Sequence, residues 1–326
     1  DEAMLVTAVP DLSTEPKYIQ LNKFLTNAGE SIKSILDVGC FNGYLTNALA
    51  KRGYKARGVD IGKEGLELAE RMAEKDQTGA KFDICNVNEV GYKYTHQYDA
   101  VCCFDVLEHV MNPKKLIEQL ELACDHDGWI FINIPNGAWH QGNMDTDYEG
   151  LWEHINSFEI RDVAQMLAGR KNLLIYRLES ISKRKILSPG QSMLFIAYQN
   201  QVNHGKKIEI VCCPTPEEWS PLSVQSGIGG SEEAVINMSQ ELFKLGHSVI
   251  VYNSCAQPGI YDGIPYLPVQ WFDPFAEHDV LISWRNPGMF QHKYKSNQNL
   301  LWLHDVPDPN AYIPEVVENI DKIFVL

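Results

Sequence analysis

The sequence predicts an α/β fold made of a Rossmann-like seven-stranded sheet followed by a second Rossmann-like α/β domain, and three observations carry that prediction. A chain of 326 residues is long enough for two domains at roughly 100 to 200 residues each. Short apolar runs rich in β-branched residues alternate with helical patterns, the rhythm of a mainly parallel sheet covered on both faces. That rhythm breaks once, at the polar stretch Gln199 to Lys207, and then restarts, so the domains are expected at residues 1–200 and 206–326.

In the first domain Ser34 to Val38, Lys55 to Val59, Ala80 to Ile84, Tyr98 to Phe104 and Trp129 to Ile134 read as strands, with helices such as Gly43 to Arg52 and Pro113 to Cys124 between them. Leu173 to Ser180 and Ser192 to Tyr198, separated by a Lys/Arg turn and Pro189-Gly190, read as an antiparallel pair that closes the sheet edge. In the second domain strands are expected at Ile208 to Cys213, His247 to Tyr252, Asp279 to Ser283, Asn299 to His304 and Asp321 to Leu326, with a helix over Ser231 to Leu245. The chain stops inside the last apolar run, so the expectation is a longer polypeptide and a second domain incomplete as given.

Composition narrows the function. With 44% hydrophobic and 22% charged residues the chain is an ordinary globular one, and no apolar run approaches the ~18 residues of a membrane helix. The acidic start Asp-Glu-Ala-Met is unlike a signal peptide, and the protein is read as cytoplasmic. Net charge is −15, shared as −7 over residues 1–204 and −8 over residues 205–326. Neither half offers the positive field that nucleic-acid binding needs, so a small-molecule or glycan partner is expected. The eight cysteines include no Cys-x-x-Cys and read as reduced core residues; no metal site is expected.

The segment from Ile35 to Thr46 is a strand, a glycine turn and a helix start. Gly39 and Gly43 let a ligand approach the backbone, and Asp60, 21 residues beyond Gly39 at the end of the second strand, suits both ribose hydroxyls of an adenosine-type cofactor. The spacing Gly-x-x-x-Gly lacks the middle glycine that seats a pyrophosphate, and the carboxylate of Asp37 would repel one; a cofactor carrying an ammonium and a sulfonium would be attracted. On these residues the chain resembles the class I S-adenosylmethionine (SAM)-dependent methyltransferases over roughly residues 15–200. The resemblance rests on Asp37-Val-Gly-Cys40-x-x-Gly43, Val59-Asp60 followed by Ile61, Phe82-Asp83-Ile84, and Tyr98 to Val110. It implies SAM as cofactor, an adenine-amine contact at Asp83, and Phe104 and Asp105 at the edge of the methionine moiety.

Methyl transfer is an in-line displacement in which positioning supplies most of the rate and a general base adds about 10² to 10⁴-fold. His109, beside the expected methyl, and His154, in the Trp152 to Phe158 stretch, are the candidate bases, with His140 a third; a structural role for each remains open. The Leu-Glu-His-Val stretch resembles the ubiquinone-biosynthesis O-methyltransferases, where it borders the active site.

Residues 206–326 resemble the N-terminal domain of GT-B glycosyltransferases of family 4. The resemblance rests on Ser226 to Val235, with Gly229 and Gly230 before a helix that Ser231 would cap and an anion site at its exposed N–H groups, and on His304 at a strand end. It implies that a nucleotide sugar would bind only with a further domain. The combined expectation is O-methylation of a sugar hydroxyl. The alternatives are methylation of a lipid-linked or small non-sugar metabolite, or a non-catalytic nucleoside- or glycan-binding protein.

Overall fold

The computed structural model describes residues 15–137, 156–179, 192–202, 205–255, 258–304 and 309–325. The chain divides into two compact units: Asp1–Ile160 with Leu174–Gln201, and Arg161–Leu173 with Val202–Leu326. This differs from the expected 1–200 and 206–326 in grouping Arg161–Leu173 with the second unit.

The first unit opens with α1 (Pro16–Ala28), started by a proline at its first position and holding Tyr18, Leu21 and Leu25 inside. Burying each leucine is worth about 1.5 to 3 kcal/mol, enough to hold the helix against the sheet. The strands β1 (Ser34–Val38), β2 (Lys55–Asp60), β3 (Lys81–Ile84), β4 (Tyr98–Phe104), β5 (Cys124–Pro135), β6 (Arg170–Glu179) and β7 (Ser192–Val202) form one sheet in the order β3-β2-β1-β4-β5-β7-β6. Pairs among β1 to β5 are parallel and β7 runs antiparallel to β5. Order reverses between β1 and β4, and a doubly wound sheet binds ligands in the crevice at that point. Helices α2 (Tyr44–Lys51), α3 (Lys63–Asp76), α4 (Val90–Lys93) and α5 (Pro113–Ala123) connect these strands. In α5 Asn112 caps the start, accepting the N–H of Lys115 at 3.0 Å, and Leu116, Ile117, Leu120 and Ala123 are buried at helical spacing.

Two expectations shift at their ends. β5 begins at Cys124, five residues before the expected Trp129, and β7 continues to Val202, through the first residues expected as linker. In β5 a parallel pair to β4 forms at Cys124 before the register shifts, so the polar Asp125-His126-Asp127 rides inside the strand.

The second unit carries α6 (Ile160–Met166) and a seven-stranded sheet of β8 (Lys207–Cys212), β9 (Ser248–Asn253), β10 (Gly259–Tyr261), β11 (Ile264–Pro268), β12 (Glu277–Trp284), β13 (Lys295–Leu303) and β14 (Lys322–Val325). Its order is β10-β11-β9-β8-β12-β13-β14, parallel except for the β10–β11 hairpin, and reverses between β8 and β12. Its core packs Trp219, Trp284, Trp302 and Tyr266 with aliphatic residues of α7 (Gly230–Lys244). α8 (Pro314–Glu318) lies before β14. No described helix is long and apolar enough to cross a membrane.

Candidate cofactor site

The crevice of the first unit is built by strand ends. Gly39 and Gly43 both take left-handed backbone, φ +76° and +70°, which an L side chain rarely adopts. A Cβ at Gly39 would collide with Val106, and one at Gly43 with Ala69 and, at 2.7 Å, with the Phe82 ring. The turn therefore admits only glycine, and it brings bare backbone to the mouth between β1 and β4. Cys40, buried, follows Gly39, and both backbone N–H groups donate to the Val59 carbonyl.

Asp37 is buried on β1 and accepts the Thr46 hydroxyl at 2.6 Å; burial pushes its carboxyl up to about 6 even against that hydrogen bond. Asp60, at the end of β2, accepts the N–H groups of Phe41 and Gly62, each at 2.8 Å, one on each oxygen. Each oxygen keeps a further lone pair able to accept another hydrogen bond. Beside it Phe41, Ile61 and Ile84 expose 51%, 72% and 58% of their surface at the ends of β1, β2 and β3, an apolar rim suited to a purine.

Asp83 lies elsewhere. Its carboxylate is ion-paired with Arg57 and accepts the Tyr94 hydroxyl at 2.6 Å, on the opposite side of β3 from Phe82. Burial would raise its carboxyl, but Tyr94 and Arg57 hold it below the usual range. The structure thus does not bring Asp83 to the crevice as the expected adenine contact. β3 delivers Ile84 to its end instead, followed by Cys85 and Asn86.

Phe104 closes β4 and stacks on Tyr18, whose ring also stacks on Tyr44. Asp105, with φ +59°, is ion-paired with Lys17 and accepts Asn133 Nδ2 at 2.7 Å. The turn Leu107–His109 follows and is held by Asn156, whose backbone N–H donates to Glu108 O at 3.0 Å and whose side chain donates to Val110 O at 2.6 Å. His109 is exposed on this turn. Glu108, which the sequence reading passed over, is buried, and among the described residues neither carboxyl oxygen has a hydrogen-bond partner. Burial pushes its acid up to about 8. An acidic residue beside a histidine gives no sequence signal of this; its burial depends on β5 and α5 packing against the turn. His140 and His154 lie outside the described residues.

The family comparison decides what this crevice belongs to: residues 14–171 match the family model described as a methyltransferase domain. The chain carries a class I SAM-dependent methyltransferase domain. This domain is 32% identical over 104 residues to the ubiquinone biosynthesis O-methyltransferase of Hydrogenovibrio crunogenus, covering 32% of this chain and 43% of that protein. The enzyme of the same name from Salmonella paratyphi A is 33% identical over 119 residues, 36% of this chain and 49% of that protein. The chain thus spans less than half the length of these curated relatives. The magnesium protoporphyrin IX methyltransferase of Synechocystis PCC 6803, solved with bound SAH, aligns with a TM-score of 0.45 at 17% identity, over 56% of this chain and 80% of that one. The family match does not reach beyond residue 171.

In the second unit a cavity of about 690 Å³ opens at the ends of β8, β12 and β13, lined by Trp219, Gly229, Glu232, Trp284 and Arg285 among others. Helix α7 starts at Gly230 with Gly229 as its cap, so the expected capping by Ser231 does not occur. Ser231 instead donates to Glu232 Oε2 at 2.8 Å and accepts from Arg285 at 3.4 Å. The Glu232 carboxylate lies against Gly229, so the chain's own acid stands at the helix start where an anion site was expected. His304 packs against Trp302 and Trp284 at ring distances of 5.1 and 6.0 Å.

Proposed function

We propose that the protein is an O-methyltransferase that transfers a methyl group to the hydroxyl of a small molecule. The observation that carries the proposal is the crevice between β1 and β4, where the glycine turn, the Asp60 carboxylate and the apolar rim of Phe41, Ile61 and Ile84 converge. These residues fit the cofactor: the donor set is the Asp60 carboxylate, with lone pairs left on both oxygens, beside the exposed apolar faces of Phe41, Ile61 and Ile84 rather than a cluster of cations. SAM, when bound, supplies an electrophilic methyl group. Asp60 holds the ribose hydroxyls, Ile61 and Ile84 flank the adenine, and the bare backbone of Gly39 and Cys40 receives the thioether chain. Phe104 and Tyr18 exclude water from the side of β4. His109, exposed on the turn after β4, would take the acceptor's proton, while Glu108 keeps its own proton at neutral pH.

The relatives' names support an O-directed reaction on a small acceptor. The narrower reading, a sugar hydroxyl and a GT-B glycosyltransferase half in residues 206–326, rests on the doubly wound strand order and the cavity at its switch point. Mass spectrometry of products after incubation with SAM and panels of phenols, sugars and nucleotide sugars tests both. Methyl ethers with matching S-adenosylhomocysteine (SAH) are expected; no SAH with any acceptor would overturn the methyltransferase proposal, and methylation confined to phenols the sugar reading.

A further inference from the structure

Two indoles wall the cavity of the second unit. Trp219 and Trp284, 3% and 0% exposed, both line it, and among the described residues neither Nε1 has a hydrogen-bond partner. A buried N–H left without an acceptor is costly, and an oxygen brought into the cavity can supply one. Arg285, just after β12, takes left-handed backbone at φ +61° and is held by its N–H, which donates to Trp302 O at 2.8 Å. Its guanidinium lies 5.2 Å from the centre of the Trp284 ring, and Nη1 donates to Ser231 Oγ at 3.4 Å. Ser231 in turn donates to Glu232 Oε2 at 2.8 Å, so one hydroxyl links the cation of the cavity to an acid. A Cβ at Gly229 would stand 2.3 Å from that Oε2, which puts the carboxylate at the start of α7, where an anion would have to sit. Glu217 and Glu218 line the cavity too, so three carboxylates stand against the one guanidinium. A phosphate entering there meets net repulsion.

We propose that this cavity binds an uncharged, hydroxyl-rich ring, a sugar without phosphate, and that Glu232 is the residue that turns phosphate-bearing sugars away. The indole N–H groups and the Arg285 guanidinium donate to hydroxyl oxygens, Glu232 accepts hydroxyl protons, and the two indole faces cover ring carbons. A neutral ring meets both sets at once. A phosphate dianion meets the donors and leaves the carboxylates opposed. The inference rests on the sugar reading of residues 206–326 and is independent of the methyltransferase one.

Saturation-transfer NMR titrations of the full chain test the assignment, with the methyl glycosides of glucose, galactose, mannose and N-acetylglucosamine against the 1-phosphates of the same sugars. At least one glycoside is expected to bind, and its 1-phosphate about tenfold more weakly. Glu232→Gln should bring the pair to within about threefold, and Trp284→Phe should weaken the glycoside about fivefold, with SAH affinity unmoved in both. Raising the salt should narrow the wild-type gap by screening, which tests the charge without a substitution. The proposal is overturned if the 1-phosphates bind the wild type as tightly as the glycosides, or if the gap survives both Glu232→Gln and high salt. Unchanged glycoside affinity in Trp284→Phe would overturn it as well. Preference for 1-phosphates would leave the sugar reading standing, whereas binding of no sugar at all would remove both.

Discussion

Glu108 in the first unit and Glu209 in the second are equally buried, 2% exposed each, yet one acid is pushed up and the other held down. Burial raises both. At Glu209 the hydrogen bond from His278, at 2.6 Å, and the charge of Lys207, at 3.4 Å, outweigh it, and the Tyr252 hydroxyl adds a bond at 3.2 Å. Glu108 has no such partners among the described residues. Partners rather than depth decide what a buried carboxyl does. Glu209 lies within β8 and ties it to β9 and β12, while Glu108 lies in a turn at the ligand end of its sheet, where an unsatisfied acid points to function.

The largest expected effect breaks the satisfied member. Glu209→Leu leaves His278 and Lys207 without their carboxylate and should cost ~3 to 5 kcal/mol, read as a shift of urea unfolding followed by the tryptophans of the second unit. His109→Ala should lower kcat by ~10² with cofactor affinity near wild type; near-normal turnover would return His109 to a structural role.

The third prediction sharpens the comparison through pH. Glu108 has a folded pKa of about 8 against 4.5 for an ordinary glutamate, so the unfolded chain loses this proton first and stability falls as pH rises from about 4.5 to 8. Glu209 has a lowered folded pKa, so its contribution is present above its unfolded value and is lost as pH falls through the folded one. Glu108→Gln should therefore leave stability unchanged near pH 4 and raise it at pH 9, measured by thermal melts. A gain at both pH values would mean that the carboxyl is not the cause.

Much of the architecture was legible because buried parallel strands are near-continuous apolar runs, as in Ile35-Leu36 and Ala100 to Cys103. The β10–β11 hairpin went unread although Asp262-Gly263 is a hairpin signal, because Pro265 and Pro268 argue against a strand. At the site, the glycine turn and Asp60 are local features of one strand end each. Asp83 could not be placed from sequence, since its fate depends on Arg57, 26 residues away, and on Tyr94 from α4. Ser231 shows the same limit: a good capping residue loses the cap when Gly229, two residues earlier, takes it.

The measurement that bears most directly on the central claim is calorimetry of SAH binding to the wild type and to Asp60→Ala. The account predicts one site per chain in the wild type and a loss of at least ~1 kcal/mol in the folded variant, the cost of leaving the ribose hydroxyls unpaired. Unchanged affinity in a folded Asp60→Ala would contradict it and place the cofactor elsewhere.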